Sequence, residues 1–245
     1  MRNIRLDLCY DGTRYRGWQR QPGVENTIQG KLETALSRIL EEPIEVYGSG
    51  RTDAGVHALH QVASFRCDST MAPEEMLSKL RHYLPEDIGV LNLKQAGERF
   101  HARYNALRKT YRYRIWNSPE PCVFERRFVT VEEGSFDVAA MQKAAAHFLG
   151  QHDFSSFCNH KSARKSGVRY IASLEVLRDG PYIDITVTGN GFMRNMVRIM
   201  AGTLMEVGMG KRSPDSIPEL LEEGIRAQAG FLAPPQGLSL VEVEY

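Results

Sequence analysis

The segment Gly48-Ser-Gly-Arg-Thr-Asp-Ala-Gly-Val-His-Ala58 gathers residue types that do chemistry in a turn. A strand that runs into a glycine-rich turn exposes a side chain on a rigid support. In an extended chain Arg51 and Asp53 point the same way, because strand side chains alternate. A guanidinium beside a carboxylate keeps it ionised at neutral pH, and an ionised carboxylate can serve as base or nucleophile. The same spacing also fits a turn in which Asp53 only caps backbone N–H groups. A phosphate-cradling loop is excluded, since no Gly-Lys-Ser/Thr follows. His57 and His60 have a spacing that can chelate, but no third ligand lies near them in sequence, and His101, His147, His152 and His160 are isolated. No metal site is expected. Two-metal phosphoryl chemistry is disfavoured too, since it needs clustered carboxylates.

Three further segments matter. In Arg108-Lys-Thr-Tyr-Arg-Tyr-Arg-Ile115, Tyr111, Tyr113 and Ile115 share one face of a strand and Arg112 and Arg114 the other. Aromatics on a strand flanked by cations suit unpaired bases; core packing suits Tyr113 and Ile115 at least as well. On a helical wheel Phe192, Met193, Met196, Met200, Leu204 and Val207 make an apolar stripe, with Arg194 and Arg198 on the opposite, solvated or phosphate-binding side. Pro234-Pro-Gln-Gly leads into a terminal strand that starts at Leu238.

The charge pattern narrows the partner. The chain has 245 residues, with 31 Lys and Arg against 30 Asp and Glu, so its net charge is near zero. Locally it is basic: Arg99, Arg103, Arg108, Lys109, Arg112, Arg114, Arg126 and Arg127 face only Glu120 and Glu125. Arg14, Arg16 and Arg20 form a second cluster and Lys161, Arg164, Lys165 and Arg169 a third. Such segregation fits a positive groove for a polyanion. The 42% hydrophobic and 25% charged fractions exclude a disordered chain or a fibre. Cys9, Cys67, Cys122 and Cys158 never take a CxxC spacing, which argues for the reducing cytoplasm. The start carries Arg2, Arg5 and Asp7 where a secretion signal needs an apolar run. The most apolar long stretch, 192–209, is broken by Arg194, Arg198 and Glu206, so no membrane span is expected.

Periodicity supplies the elements that must position these residues. Strands are predicted over 4–10, 44–47, 61–66, 90–94, 110–116, 127–131, 170–178, 182–188 and 238–244. Helices are predicted over 27–40, capped by Asn26 or Thr27, and over 72–83, 136–149, 193–207 and 218–229. Both halves mix strands with helices, an α+β pattern, with the boundary near 97–108 and a division into residues 1–104 and 105–245.

The run Gly50-Arg-Thr-Asp-Ala-Gly-Val-His-Ala58, with Gln61, resembles the active-site motif of the TruA family of tRNA pseudouridine synthases. Tyr10-Asp-Gly-Thr-x-Tyr-x-Gly-Trp-Gln19 with Thr27-Ile-Gln29 is similar to its N-terminal signature. His101-Ala-Arg103 with Lys109-Thr-Tyr-x-Tyr113 is similar to its central one. His152-Asp-Phe-x-x-Phe157, Met196-Val-Arg198 and Gly237-Leu-x-Leu240 are similar to its C-terminal ones. The resemblance implies two similar subdomains of mainly antiparallel sheet flanked by helices, forming an extended sheet with a central basic cleft. It implies isomerisation of uridine to pseudouridine at tRNA positions 38, 39 and 40, by a homodimer without cofactor or metal. Asp53 is then the catalytic carboxylate, Arg51 assists extrusion of the nucleotide, and Tyr111 stacks on the uracil. Arg198 pairs with Asp53, Leu238 helps wall the pocket, and Arg14, Arg16 and His57 are further substrate-binding candidates. Two other readings of the same residues are a non-catalytic RNA-binding module and a metal-dependent nucleic-acid hydrolase using Asp53, His57 and His60. The Arg51–Asp53 turn favours an enzyme over the module.

Overall fold

Alternating apolar residues place Ile4, Leu6 and Leu8 on the buried side of β1 (Arg2–Tyr10). In the computed structural model, which describes residues 1–158 and 166–245, this strand lies at the centre of the first of two packing units. That unit comprises Met1–Leu107 together with Leu240–Tyr245, and the second comprises Arg108–Ser239. β1 pairs antiparallel with β3 (His57–Cys67) and β4 (Ile88–Gln95), and the two-residue β2 (Tyr47–Gly48) pairs with β3 at Ser64 and Ala63. Helix α1 (Ile28–Leu40) buries Ile28, Leu32, Ala35, Leu36 and Ile39, a helical spacing, and the Thr27 hydroxyl caps it by accepting from the Gly30 N–H at 3.2 Å. Helix α2 (Pro73–Tyr83) starts on its proline, where no N–H is needed, and buries Met76 and Leu80. Each such fully buried aliphatic side chain contributes about 1.5–3 kcal/mol of transfer free energy.

Strand β10 (Leu238–Glu244) falls in the second half of a division after residue 104, yet from Leu240 onward it groups with the first unit. The Leu107 N–H donates to the Glu244 carbonyl at 2.8 Å, and the Tyr245 hydroxyl donates to the Ala102 carbonyl at 2.6 Å.

In the second unit β5 (Arg108–Trp116), β9 (Tyr182–Gly189), β8 (Val168–Asp179) and β7 (Gly150–Asp153) form an antiparallel run in that order, and β6 (Thr130–Val131) lies parallel to β5. Tyr111, Tyr113 and Ile115 stand opposite Val187, Ile185 and Ile183, so one face of the sheet is apolar. The Asp137 carboxylate caps α3 (Val138–Ala146) by accepting from the Ala140 N–H at 2.9 Å. Several elements are shorter than predicted, α3 itself covering only 138–146 of 136–149. Helix α5 (Ile217–Glu223) stops at Gly224, whose φ of +68° ends the turn, well before Ala229. Residues 127–129 continue a loop instead of joining β6. The basic residues Lys161, Arg164 and Lys165, with His160, lie outside the described residues.

Helix α4 (Met196–Gly208) departs most from its wheel. It starts at Met196 rather than Met193, because Asn195 takes a left-handed φ of +65°. It is buried nearly all round, including Ala201, Gly202 and Thr203. Residues 229–233 lie against it. The Thr203 hydroxyl donates to the Ile199 carbonyl at 2.8 Å and accepts from the Gly230 N–H at 2.9 Å. A Cβ on Gly202 would stand 2.0 Å from the Phe231 carbonyl oxygen.

Gly202→Ala is therefore expected to lower the unfolding free energy by at least about 1–3 kcal/mol, an overpacking cost against backbone. Gly97→Ala, where nothing lies within 4 Å of the added methyl, serves as the control and should change it by less than about 1 kcal/mol. Urea unfolding of the two variants, followed by circular dichroism, checks both.

Candidate active site

Asp53 sits in a loop held by a second loop. Residues 11–20, the stretch after β1, lie along residues 52–57. The Trp18 N–H donates to the Thr52 carbonyl at 3.0 Å, and the Gly55 N–H donates to the Tyr15 carbonyl at 3.3 Å. The hydroxyls of Tyr10 and Thr52 are 2.9 Å apart. The approach is close enough that only glycine fits at two positions. A Cβ on Gly12 would stand 2.0 Å from the Val56 carbonyl oxygen, and one on Gly17, at φ +93°, 2.7 Å from that of Thr52. The second loop is itself tied to α1. The Gln29 amide oxygen accepts from the Gln19 side chain at 2.6 Å and from the Arg20 N–H at 2.8 Å, while its NH2 group donates to the Val46 carbonyl at 3.1 Å.

The near end of the Gly48–Ala58 segment is fixed from β3. The buried Ser49 hydroxyl donates to the Gln61 amide oxygen at 2.5 Å, and the Gln61 NH2 group donates to the Gly50 carbonyl at 3.2 Å. Leu8 pairs with Gln61 and Tyr10 with Ala58, so β3 spends an extra residue between them. This bulge, directly after the loop, is a common device for re-aiming a strand next to a site.

Between these anchors the chain is not extended. The Val56 N–H donates to the Asp53 carbonyl at 3.1 Å, closing a turn. Asp53 is half-buried, whereas Arg51 is exposed and has no hydrogen-bond or ion-pair partner among the described residues. The direct Arg51–Asp53 pairing expected from alternation is therefore not formed.

His57 is 2% exposed. The Gly12 N–H donates to its Nδ1 at 3.0 Å, so that nitrogen carries no proton. An Asp11 carboxylate oxygen lies 3.2 Å from the same nitrogen, a contact that becomes an ion pair only if the ring gains a second proton. His60 instead approaches Asp7 at 3.4 Å. Among the described residues no group of three His, Cys, Asp or Glu could hold a metal ion. Of the N-terminal arginines, Arg14 donates twice to Asp87, at 2.9 and 2.6 Å, and Arg20 pairs with Glu33 at 3.1 Å. Arg16 is exposed with no side-chain partner among the described residues.

The second unit brings together Tyr111, Arg198 and the segment leading to Leu238. Tyr111 is 7% exposed and meets Phe192 edge to face, with ring centroids 5.2 Å apart. Arg198 is half-buried, not solvated as the wheel suggested. Its Nε donates to the Ala233 carbonyl at 2.7 Å. The next carbonyl, that of Pro234, accepts from the Tyr113 hydroxyl at 3.0 Å. Burial holds the Tyr113 phenol well above the usual tyrosine range, against the opposing pull of the Arg198 charge. Leu238 is buried just beyond. Across the same sheet Arg114 is spent on a two-pronged bridge to Asp184, at 2.7 Å on each arm, so the basic tract is not uniformly open. Spacing did not expose Gln29, Gln61 or Phe192 as supports. Gln29 and Gln61 do stand in the motifs quoted above, which is the signal that could have found them.

A family profile described as tRNA pseudouridine synthase matches residues 9–105 and 144–245, which leaves Tyr111 outside the matched stretches. Relatives cover the whole chain. A tRNA pseudouridine synthase A 2 of Bacillus cereus (strain ZK / E33L) is 44% identical over 245 residues, 100% of both chains. A tRNA pseudouridine synthase A of Bacillus sp. (strain KSM-64) is 46% identical over 245 residues, again 100% of both. One of Geotalea uraniireducens (strain Rf4) is 46% identical over 246 residues, with the same coverage.

The buried phenol behind the loop gives a pH test. Burial pushes the Tyr10 hydroxyl up to about 12, from an ordinary value near 10. The folded state thus holds this proton more tightly than the unfolded one. The associated stability is complete below pH 10 and is lost as pH rises through about 12. Tyr15, Tyr113 and Tyr245 are shifted in the same direction, chiefly by burial. Urea-unfolding free energies are expected to hold steady between about pH 8 and 9, then fall, with roughly 2–3 kcal/mol from Tyr10 alone. Tyr10→Phe should show the shallower alkaline decline.

Proposed function

The chain belongs to the tRNA pseudouridine synthase family, and from that premise we propose how its own residues serve the isomerisation of uridine to pseudouridine in tRNA. The targets proposed are positions 38, 39 and 40 of the anticodon arm, on the strength of the TruA motifs. The observation that carries the reading is the Gly50–Ala58 segment, in which one half-buried carboxylate stands in a turn braced by two glycine-only contacts.

The reaction breaks the N1–C1′ bond, turns the detached uracil, and joins C5 to C1′. The C5 proton leaves and N1 gains one, so atoms balance and no electrons are exchanged with an outside acceptor. Asp53 supplies the ionised carboxylate that reacts with the nucleotide. Arg51, exposed two residues before Asp53, assists extrusion of the target from the stem, which costs a few kcal/mol of stacking and pairing. Tyr111 gives the detached base a flat surface, Leu238 excludes water, and Arg198 is the cation that keeps Asp53 ionised. Arg16 and Arg14 take phosphates; Arg14 is itself exposed, and a phosphate would replace its partner Asp87, whose side chain is largely buried. His57 acts as a positioning residue through Gly12. The working form is proposed to be a homodimer in the cytoplasm, where the four free thiols would persist. No described helix is long and apolar enough to cross a membrane.

Asp53→Asn keeps the shape and removes the charge, so pseudouridine formation on an unmodified tRNA transcript should fall below detection while binding persists through phosphate contacts. Carbodiimide mapping of the product, with its mass unchanged, is the readout. Near wild-type yield would sink the assignment of Asp53, and a shortened RNA would favour the hydrolase. Arg198→Ala should also lower turnover, and the double variant should be little worse than Asp53→Asn alone, as coupled groups require. Transcript affinity should fall steeply with salt, because phosphate contacts release counterions; filter binding at several salt concentrations measures the slope.

A further inference from the structure

Outside the residues assigned above, the first unit carries a run of three rings. Tyr47 meets His101 at a centroid separation of 5.2 Å, and His101 meets Tyr104 at 4.3 Å, with interplanar angles of 47° and 37°. Tyr47 is 43% exposed and Tyr104 78%, large aromatic surfaces with no core to fill. They are held firmly nonetheless. The His101 N–H donates to the Asn105 side chain at 2.7 Å, and the Asn105 N–H returns to the His101 carbonyl at 3.1 Å. The Arg103 N–H donates to His101 Nδ1 at 3.1 Å. The turn is pinned to β3, since the buried Ala102 donates to the Ser64 hydroxyl at 3.1 Å and Ser64 is the strand partner of Tyr47. An exposed aromatic turn with this much tethering is preorganised for a flat ligand.

The charges select which flat ligand. Burial holds the His101 imidazole below its usual range, helped by the charges of Arg103 and Arg66, which favours the neutral ring for stacking. The nearby acid, Glu45, is engaged by the Tyr47 hydroxyl at 2.6 Å. Rings at the surface with cations beside them match a base and its phosphate. We propose that Tyr47, His101 and Tyr104 form a stacking platform for an unpaired base of the tRNA other than the reacting uridine, with Arg103 and Arg66 on the adjoining phosphate. The inference rests on the reading of the chain as a tRNA enzyme and adds a subsite to it.

Tyr104→Ala and Tyr104→Phe separate ring from hydroxyl, with an unmodified tRNA transcript and a fully paired RNA duplex as the probes. Tyr104→Ala should weaken transcript binding at least about fivefold, the scale of one lost base–aromatic stack. The loss should fall on KM rather than kcat, spare the duplex, and be restored by Phe. The platform is overturned by unchanged transcript affinity, by equal loss on the duplex, or by a Phe variant no better than Ala. It is also overturned by a change in sedimenting mass at unchanged RNA affinity, which would make the rings a contact between copies. Affinity ratios decide this even if the wild-type chain forms no pseudouridine, so the two readings fail separately.

Discussion

The structure around Asp53 depends on two irregular segments lying backbone against backbone. Residues 11–20 and 52–56 have no ladder of their own, so those of their N–H and C=O groups that are buried must find one another or stay unsatisfied, at about 1–3 kcal/mol each. They meet at the Trp18–Thr52 and Tyr15–Gly55 bonds, and the absent side chains at Gly12 and Gly17 make the separation possible. Three features of the first unit extend this contact. Gln29 carries it to α1, Gln61 carries it to β3, and the bulge between Ala58 and Gln61 sets the angle at which the loop leaves the strand.

The second unit solves a different problem, that of holding a cation half-buried beside an apolar face. Arg198 projects from a helix buried nearly all round, which would be costly for an unpaired guanidinium. The irregular stretch after Ala229 answers with carbonyl groups. Ala233 accepts from Arg198 and Pro234 from Tyr113, so a strand side chain and a helix side chain are fixed by adjacent peptide groups. Gly202 and Gly230 let that stretch reach the helix backbone, with Thr203 bonded on both sides. A substitution at Gly202 or Gly230 thus reaches Arg198 through the 229–233 stretch.

Where sequence legibility ended is physically instructive. The Thr27 cap, the Tyr111, Tyr113 and Ile115 face, and the β8–β9 hairpin were readable because each expresses a local rule. Residues 44–46 read as a strand from their alternation, and Ile44 and Val46 are indeed buried. Their backbone partners, however, are side chains: Ile44 donates to Ser37 at 2.9 Å and Val46 to Glu33 at 3.1 Å. A ladder was replaced by a helix's polar groups, which no period reveals. The same holds for the site. The motif marked Asp53, but the contacts that hold the 53–56 turn against Tyr15 and bury His57 beside Gly12 are tertiary facts.

The placement of Leu240–Tyr245 with the first unit bears on how the protein is made. Tyr245 lies 4.8 Å from the Arg5 guanidinium, and the Ala102 and Leu107 backbone groups take their partners from the same six residues. A ribosome delivers those residues only after the whole of Arg108–Ser239. Domains usually fold from the N-terminus as they emerge, but here the leading unit must wait, incomplete, while the trailing one is synthesised. The unit that carries Asp53 therefore acquires these partners only once Leu240–Tyr245 have left the exit tunnel.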